Sequence, residues 1–350
     1  MMAQEIAQQP EALARTFDRL LPRRDELRAL AAGRRHVLFI ARGTSDNAAV
    51  YGRYLVEIHA GLGASLAAPS LATHYTVERD LTDTLVVAVS QSGATTEIVD
   101  AQRWAADHGA RTVAITNEPA SPLADTAHLA LVTAAGREVA VPATKSHTTQ
   151  LAAIAVIADA LGPDRDRLEP QLRAVPDAVH AILADRKGVD EAVSELARAD
   201  AILVSGRGLA FATALEVSLK LEETCLEPVR GLSYADLRHG PIAVVDHDVT
   251  TVLIAAREGP MLPGMRELAD DLRDLGARTV AIGGDAGFRS IAGIAVDGPD
   301  LPERVAPIGL VVPGQLVVEA FARSRGLDPD APRSLSKVTE TDRDSADSAG

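Results

Sequence analysis

Seven consecutive residues occur twice in this chain: Gly109-Ala110-Arg111-Thr112-Val113-Ala114-Ile115 returns letter for letter as Gly276-Ala277-Arg278-Thr279-Val280-Ala281-Ile282. The repetition extends beyond the heptapeptide. Upstream of each copy lies an apolar strand pattern (Thr84 to Val89, Thr250 to Ala255) and then an amphipathic helix pattern (Glu97 to His108, Met261 to Leu275). Further back, His36 to Ile40 runs into Ala41-Arg42-Gly43-Thr44, and Ala201 to Val204 into Ser205-Gly206-Arg207-Gly208, at nearly the same offset. Strands that alternate with helices and stop at glycine build parallel sheets covered on both faces. The sequence therefore predicts an α/β fold of two tandem, doubly wound, parallel-sheet domains.

The expected layout has an N-terminal helical segment at 1–32, a first domain at 33–185, a second at 186–325 and a C-terminal tail at 326–350 that closes the site. Leu13, Phe17, Leu20 and Leu21 share one helical face in the opening segment. Pro163 to Asp185, rich in Pro, Asp and Arg, reads as a polar helical connection. Thr339 to Gly350 is acidic, small and without apolar periodicity, so disorder is expected there.

At 350 residues the chain has material for two ordinary domains. Its 35 Lys and Arg against 49 Asp and Glu give a net charge of −14, which argues against nucleic acid or an anionic membrane surface as the main partner. Any anionic ligand must be captured by local groups. A single cysteine, Cys225, excludes an intrachain disulfide and a multi-cysteine metal site, and fits a reducing compartment. The start, Met1-Met2-Ala3-Gln4-Glu5-Ile6, is polar and acidic, and no apolar run reaches the ~18 residues of a membrane span. A cytoplasmic protein is expected.

The apolar run Leu85 to Val89 stops abruptly at Ser90-Gln91-Ser92-Gly93-Ala94-Thr95-Thr96-Glu97, and a helix pattern follows. Such a loop exposes backbone N–H groups at a helix N-terminus, where an anion is favoured and hydroxyls complete the cradle. Without the glycine-lysine spacing of a nucleotide-binding loop, a single phosphomonoester held by neutral donors fits best. The alternative is an ordinary βα turn capped by Ser or Thr. The matching place in the second copy is Ala256-Arg257-Glu258-Gly259, where Glu258 repels phosphate, so only the first copy is expected to bind the anion. Gly43-Thr44-Ser45 falls at an adjoining strand end, and Glu138 to Ser146 precedes a helix and closes over the ligand.

Glu216, Lys220 and Glu223 lie at spacings of four and three, on one helical face. They read either as a solvated ion-pair ladder or as working groups. Arg238-His239-Gly240-Pro241 puts a histidine in a turn, suited to proton transfer near neutral pH or simply exposed. Lys337, in Pro332-Arg333-Ser334-Leu335-Ser336-Lys337, reads on spacing alone as an exposed lysine.

Together these stretches resemble the sugar isomerase (SIS) family, and within it the tandem proteins related to the isomerase half of glucosamine-6-phosphate synthase. The resemblance runs from about Ala41 to Thr339. It rests on Arg42-Gly43-Thr44-Ser45, Ser90-Gln91-Ser92-Gly93, Ala143-Thr144-Lys145 with Thr148-Thr149-Gln150, Leu215-Glu216 with Leu219-Lys220-Leu221, Arg238-His239-Gly240-Pro241, and Pro332-Arg333 with Leu335 and Lys337. It implies flavodoxin-like domains, a sugar-phosphate substrate and no cofactor or metal. The implied phosphate cradle is Thr44, Ser45, Ser90, Gln91, Ser92 and Thr95, with Gly43, Val141 and Ser336 on the sugar side, Val141 through its backbone. Glu223 takes the place of the base that moves a proton between C1 and C2, with Lys220 beside it. His239 matches a ring-opening histidine that relatives reach into the neighbouring subunit's site, implying a homodimer, and Lys337 a lysine that closes on the open-chain sugar.

The synthases begin with a glutaminase domain whose nucleophile is an N-terminal cysteine, whereas Met1-Met2-Ala3 opens this sequence, so glutamine is not the expected ammonia donor. Arg42-Gly43-Thr44-Ser45-Asp46-Asn47 is closer to the stand-alone glucosamine-6-phosphate deaminases. Glu222 and Ala94 replace a lysine and a glutamate of the synthases. The expected activity is deamination of glucosamine 6-phosphate to fructose 6-phosphate and ammonia. A fructosamine-type phosphate deglycase, another ketose/aldose phosphate isomerase and a sugar-phosphate-sensing regulatory protein are the alternatives.

Overall fold

Runs of β-branched and small apolar residues form two sheets. His36–Ile40 (β1), Gly63–Leu66 (β2), Thr84–Val89 (β3), Arg111–Thr116 (β4) and Leu129–Val132 (β5) make the first; Ala201–Gly206 (β6), Val229–Ser233 (β7), Val249–Ala255 (β8), Arg278–Gly283 (β9) and Ile294–Val296 (β10) make the second. The structure is a computed structural model and describes residues 1–163 and 167–337. Strand order is β2-β1-β3-β4-β5 in one sheet and β7-β6-β8-β9-β10 in the other, and every pairing is parallel. The two orders are the same, and the repeated heptapeptide enters the equivalent strands β4 and β9. β3 and β8 are central and buried throughout. Strands covered on both faces read as unbroken apolar runs rather than alternating ones.

Helices predicted from periodicity appear at Thr96–Asp107 and Leu262–Asp274. In the N-terminal segment, helix Gln9–Leu20 buries Leu13, Phe17 and Leu20. The Pro163 to Asp185 stretch departs from its polar reading. Helix Glu169–Ala184 buries Leu172, Val175, Val179 and Ile182 and packs on Gln9–Leu20 and on Ala306–Ser324. Its charged residues face out, and the apolar stripe at steps of three and four was masked by their number.

Helix Ala306–Ser324 is long and apolar enough to cross a membrane, but 89% of its apolar window is buried inside the protein. It packs against helices Lys145–Leu161, Glu169–Ala184, Val189–Leu196 and Ala210–Cys225, so it is a core helix shared by both halves. Its polar Gln315, Glu319 and Arg323 hide its length in the sequence. The expected disorder of Thr339 to Gly350 lies outside the described residues.

Candidate functional site

The chain leaves β1 for β2 on one side and returns to β3 on the other, so β1 and β3 flank a topological switch point. Ligands of open parallel sheets bind outside the strand carboxyl ends at such points. There the first sheet opens into a cavity of about 490 Å³, within the usual range for small-molecule sites. Gly43, Thr44, Ser45, Ser90, Gln91, Ser92, Thr95, Val141, Lys220, Glu223, Ser336 and Lys337 all line it. Residues separated by almost 300 positions in sequence thus converge. Glu216 and His239, also singled out, do not line it: Glu216 is buried behind Lys220, and His239 is exposed at the end of helix Tyr234–Arg238, outside this cavity of its own chain.

The loop after β3 is rigidly built. Ser90 N–H donates to Ile115 O, while Gln91 O accepts from Asn117 N–H at 3.0 Å and from the Thr116 hydroxyl at 3.2 Å. Gly93 has φ 61°. A Cβ there would stand 2.2 Å from Ser121 Oγ, so glycine is required both by conformation and by space. Thr95 occupies the N-cap of helix Thr96–Asp107 without using its hydroxyl as a cap. That leaves the hydroxyl for the cavity that it lines. On the opposite wall, Ser45 and Gln150 exchange hydrogen bonds, with Gln150 Nε2 donating to Ser45 Oγ at 3.0 Å.

Helix Ala210–Cys225, from the second half, brings Glu216, Lys220 and Glu223 to the first-half cavity. The solvated-ladder reading does not hold: Glu216 and Lys220 side chains are 0% and 1% exposed. Burial alone opposes a charged lysine, but Glu216 and then Glu223 outweigh it and hold the Lys220 pKa above that of an ordinary lysine. Lys220 Nζ lies 3.4 Å from Glu216, donates to Thr44 Oγ1 at 2.9 Å and is in close hydrogen-bond contact with Glu223. Asn47 Nδ2 donates to the other oxygen of Glu216 at 2.8 Å and the Thr44 hydroxyl to the first at 3.2 Å. Both oxygens of Glu216 are thereby engaged. Glu223, 24% exposed, is the carboxylate of the trio that reaches the cavity.

Lys337 is not an exposed lysine. Its Nζ donates to Glu138 at 3.0 Å and to Ala140 O at 2.7 Å, and its side chain is 26% exposed. Glu138 is fully buried and also accepts from Thr144 N–H, Ser146 N–H and the Ser146 hydroxyl at the start of helix Lys145–Leu161. Burial opposes its ionisation, yet Lys337 and these donors hold its pKa below the ordinary glutamate value. The sequence reading missed this anchoring role, as it missed the Glu216–Asn47 and Arg42–Glu97 pairings. The signal for Glu138 is a lone acid in an otherwise apolar stretch ahead of a helix; pairings across many positions have no local signal.

The equivalent crevice of the second sheet is closed. Met261, Glu258, Glu303 and Arg207 line a residual space of about 10 Å³ there.

Two doubly wound parallel sheets, with a hydroxyl-lined cavity at the switch point of the first, define an α/β protein with a candidate small-molecule site. The SIS domain pattern matches residues 31–160. A Silicibacter pomeroyi protein whose name provisionally assigns it to the phosphosugar isomerases is 31% identical, with a TM-score of 0.85 over 94% of this chain and 99% of that one. The chain belongs to the SIS domain family. The glutamine–fructose-6-phosphate aminotransferase (isomerizing) of Thermococcus kodakarensis is 33% identical over 96% of this chain and 57% of its own length. The chain thus spans a little over half of that relative. Glucosamine-6-phosphate deaminase from Thermotoga maritima superposes with a TM-score of 0.77 at 25% identity, over 97% of this chain and 99% of that one.

Proposed function

We propose that this protein is an enzyme that deaminates glucosamine 6-phosphate to fructose 6-phosphate and ammonia. The observation that carries the reading is one cavity lined by the hydroxyl and amide side chains of Thr44, Ser45, Ser90, Gln91, Ser92 and Thr95 together with the carboxylate of Glu223 and two lysines. Likeness to a deaminase over 99% of that protein's chain supports the particular reaction. In the opened sugar the C2 proton is acidified by the C1 aldehyde. Glu223 removes it and returns it to C1, while the C1 oxygen takes up a proton and the C2 nitrogen gives one up, leaving a C1 alcohol and an imine at C2; water adds there and ammonia leaves. The carboxylate is paired to Lys220, which keeps it oriented while it shuttles the proton. Lys337, tethered by Glu138, lines the same cavity and meets the open chain. Incubating the purified protein with glucosamine 6-phosphate and assaying ammonia tests the reading. Stoichiometric ammonia and fructose 6-phosphate are expected; turnover of another sugar phosphate without ammonia would move the protein to the isomerases.

The phosphate end has its own test. Ser90→Ala combined with Ser92→Ala should raise KM by about tenfold or more per lost donor, because a hydrogen bond to a charged oxygen is worth about 1.5–3 kcal/mol. Thr95→Val should do less. An unchanged KM in the double variant would place the ligand elsewhere.

The reading includes a homodimer in which His239 serves the neighbouring subunit's cavity; its exposure outside its own cavity supports this. Mixing Glu223→Gln and His239→Ala subunits should then restore activity, because one site of each mixed dimer has both groups intact. Verified mixed dimers without activity would remove His239 from the site.

A further inference from the structure

Arg42 lines the cavity together with Gly43, Ser90, Ser92 and Thr95. Its Nε donates to Glu97 Oε2 at 3.0 Å and its Nη2 to Oε1 at 2.8 Å, a two-bond fork. The Glu97 side chain is 6% exposed and that of Arg42 45%. The carboxylate is therefore the buried anchor, and the guanidinium is the group presented outward. The fork engages two of a guanidinium's five N–H bonds, and the Nη1 edge has no hydrogen-bond partner among the described residues.

The charge inventory of the cavity gives that edge a use. Lys220 is bound between Glu216 and Glu223, and Lys337 is bound to Glu138. The cradle hydroxyls supply hydrogen bonds but no charge. A phosphomonoester brings about −1.5 to −2 charges at neutral pH into a chain that itself carries −14. We propose that Arg42 is the charge-bearing ligand of the phosphate, its Nη1 edge taking a phosphate oxygen while Nε and Nη2 stay on Glu97. Glu97 holds the guanidinium in one orientation, so little side-chain freedom is lost on binding, and the Nη1 edge supplies the charged contact that a hydroxyl cannot. The inference rests on the sugar-phosphate reading above and adds to it what selects phosphorylated over neutral sugars.

Calorimetric titration of the full chain with inorganic phosphate and, separately, with glucosamine 6-phosphate tests it in R42Q and R42K. R42Q should lose about ten- to a hundredfold in affinity for both probes and most of the dependence of affinity on salt. R42K, which keeps the charge but cannot form the fork, should recover most of both. Wild-type affinity in R42Q would overturn the proposal. So would an R42K as weak as R42Q with unfolding midpoints lowered alike, because that pattern marks a brace for the loop. Inorganic phosphate keeps the two readings apart: wild-type protein that takes phosphate but rejects glucosamine 6-phosphate contradicts the substrate assignment, while R42Q against phosphate still decides the role of Arg42.

Discussion

Glu223→Gln is expected to lower kcat by about 10²- to 10⁴-fold, the usual worth of a positioned general base, with KM for glucosamine 6-phosphate within about threefold of wild type. Glutamine keeps the shape and hydrogen-bonding reach of the side chain and removes its basicity. Lys220 retains Glu216 at 3.4 Å as a charge partner, so the helix Ala210–Cys225 should keep its place. A fall in kcat with KM held is the signature of an interaction made in the transition state alone. Steady-state kinetics on the refolded-free, purified variant decides it, and a normal kcat would reduce Glu223 to a partner of Lys220.

Lys220→Met should be the most destabilising single change in the site, by about 3–5 kcal/mol, because it strands a buried carboxylate. Glu216 is 0% exposed and would keep only Asn47 and the Thr44 hydroxyl. The pH dependence follows from the signs. In the wild type the Lys220 pKa is raised, so the stability it contributes is complete below the ordinary lysine pKa of about 10.4 and is lost only as pH climbs through the raised value. In the variant the ionised form of Glu216 is the disfavoured one, so the deficit is largest above the ordinary carboxylate range and shrinks as pH falls and the group takes up a proton. Urea unfolding at pH 8 and pH 5 should show the gap to wild type narrowing at pH 5. Adding Glu216→Gln should restore part of the loss at pH 8; a gap independent of pH would contradict the account.

Local signals carried most of the fold and much of the cavity. The repeated Gly-Ala-Arg-Thr-Val-Ala-Ile segment places β4 and β9 in equivalent sheets, and the carboxyl end of β3 falls where the apolar run gives way to Ser90-Gln91-Ser92-Gly93. What the sequence left open was burial. Glu216, Lys220 and Glu223 have the spacing of a surface ladder, and periodicity fixes a shared face without saying whether that face meets water or another domain. Helix Ala210–Cys225 meets helix Thr44–Leu55 of the other half, and this contact turns the ladder into a buried network. The same holds for Lys337, whose partner Glu138 lies 199 positions away. The charged residues of 163–185 concealed a buried stripe for the converse reason: composition averages over faces that packing separates.

The central claim is that Glu223 moves a proton between C1 and C2 of a phosphorylated sugar bound in the first-sheet cavity. Following fructose 6-phosphate by proton NMR in D₂O with the purified protein tests it most directly, because a carboxylate that takes the proton exchanges it with solvent before returning it. The account predicts loss of the C1 proton signal at a rate dependent on wild-type protein and abolished in Glu223→Gln. Retention of that signal with fructose 6-phosphate bound, or equal exchange in Glu223→Gln, would contradict it.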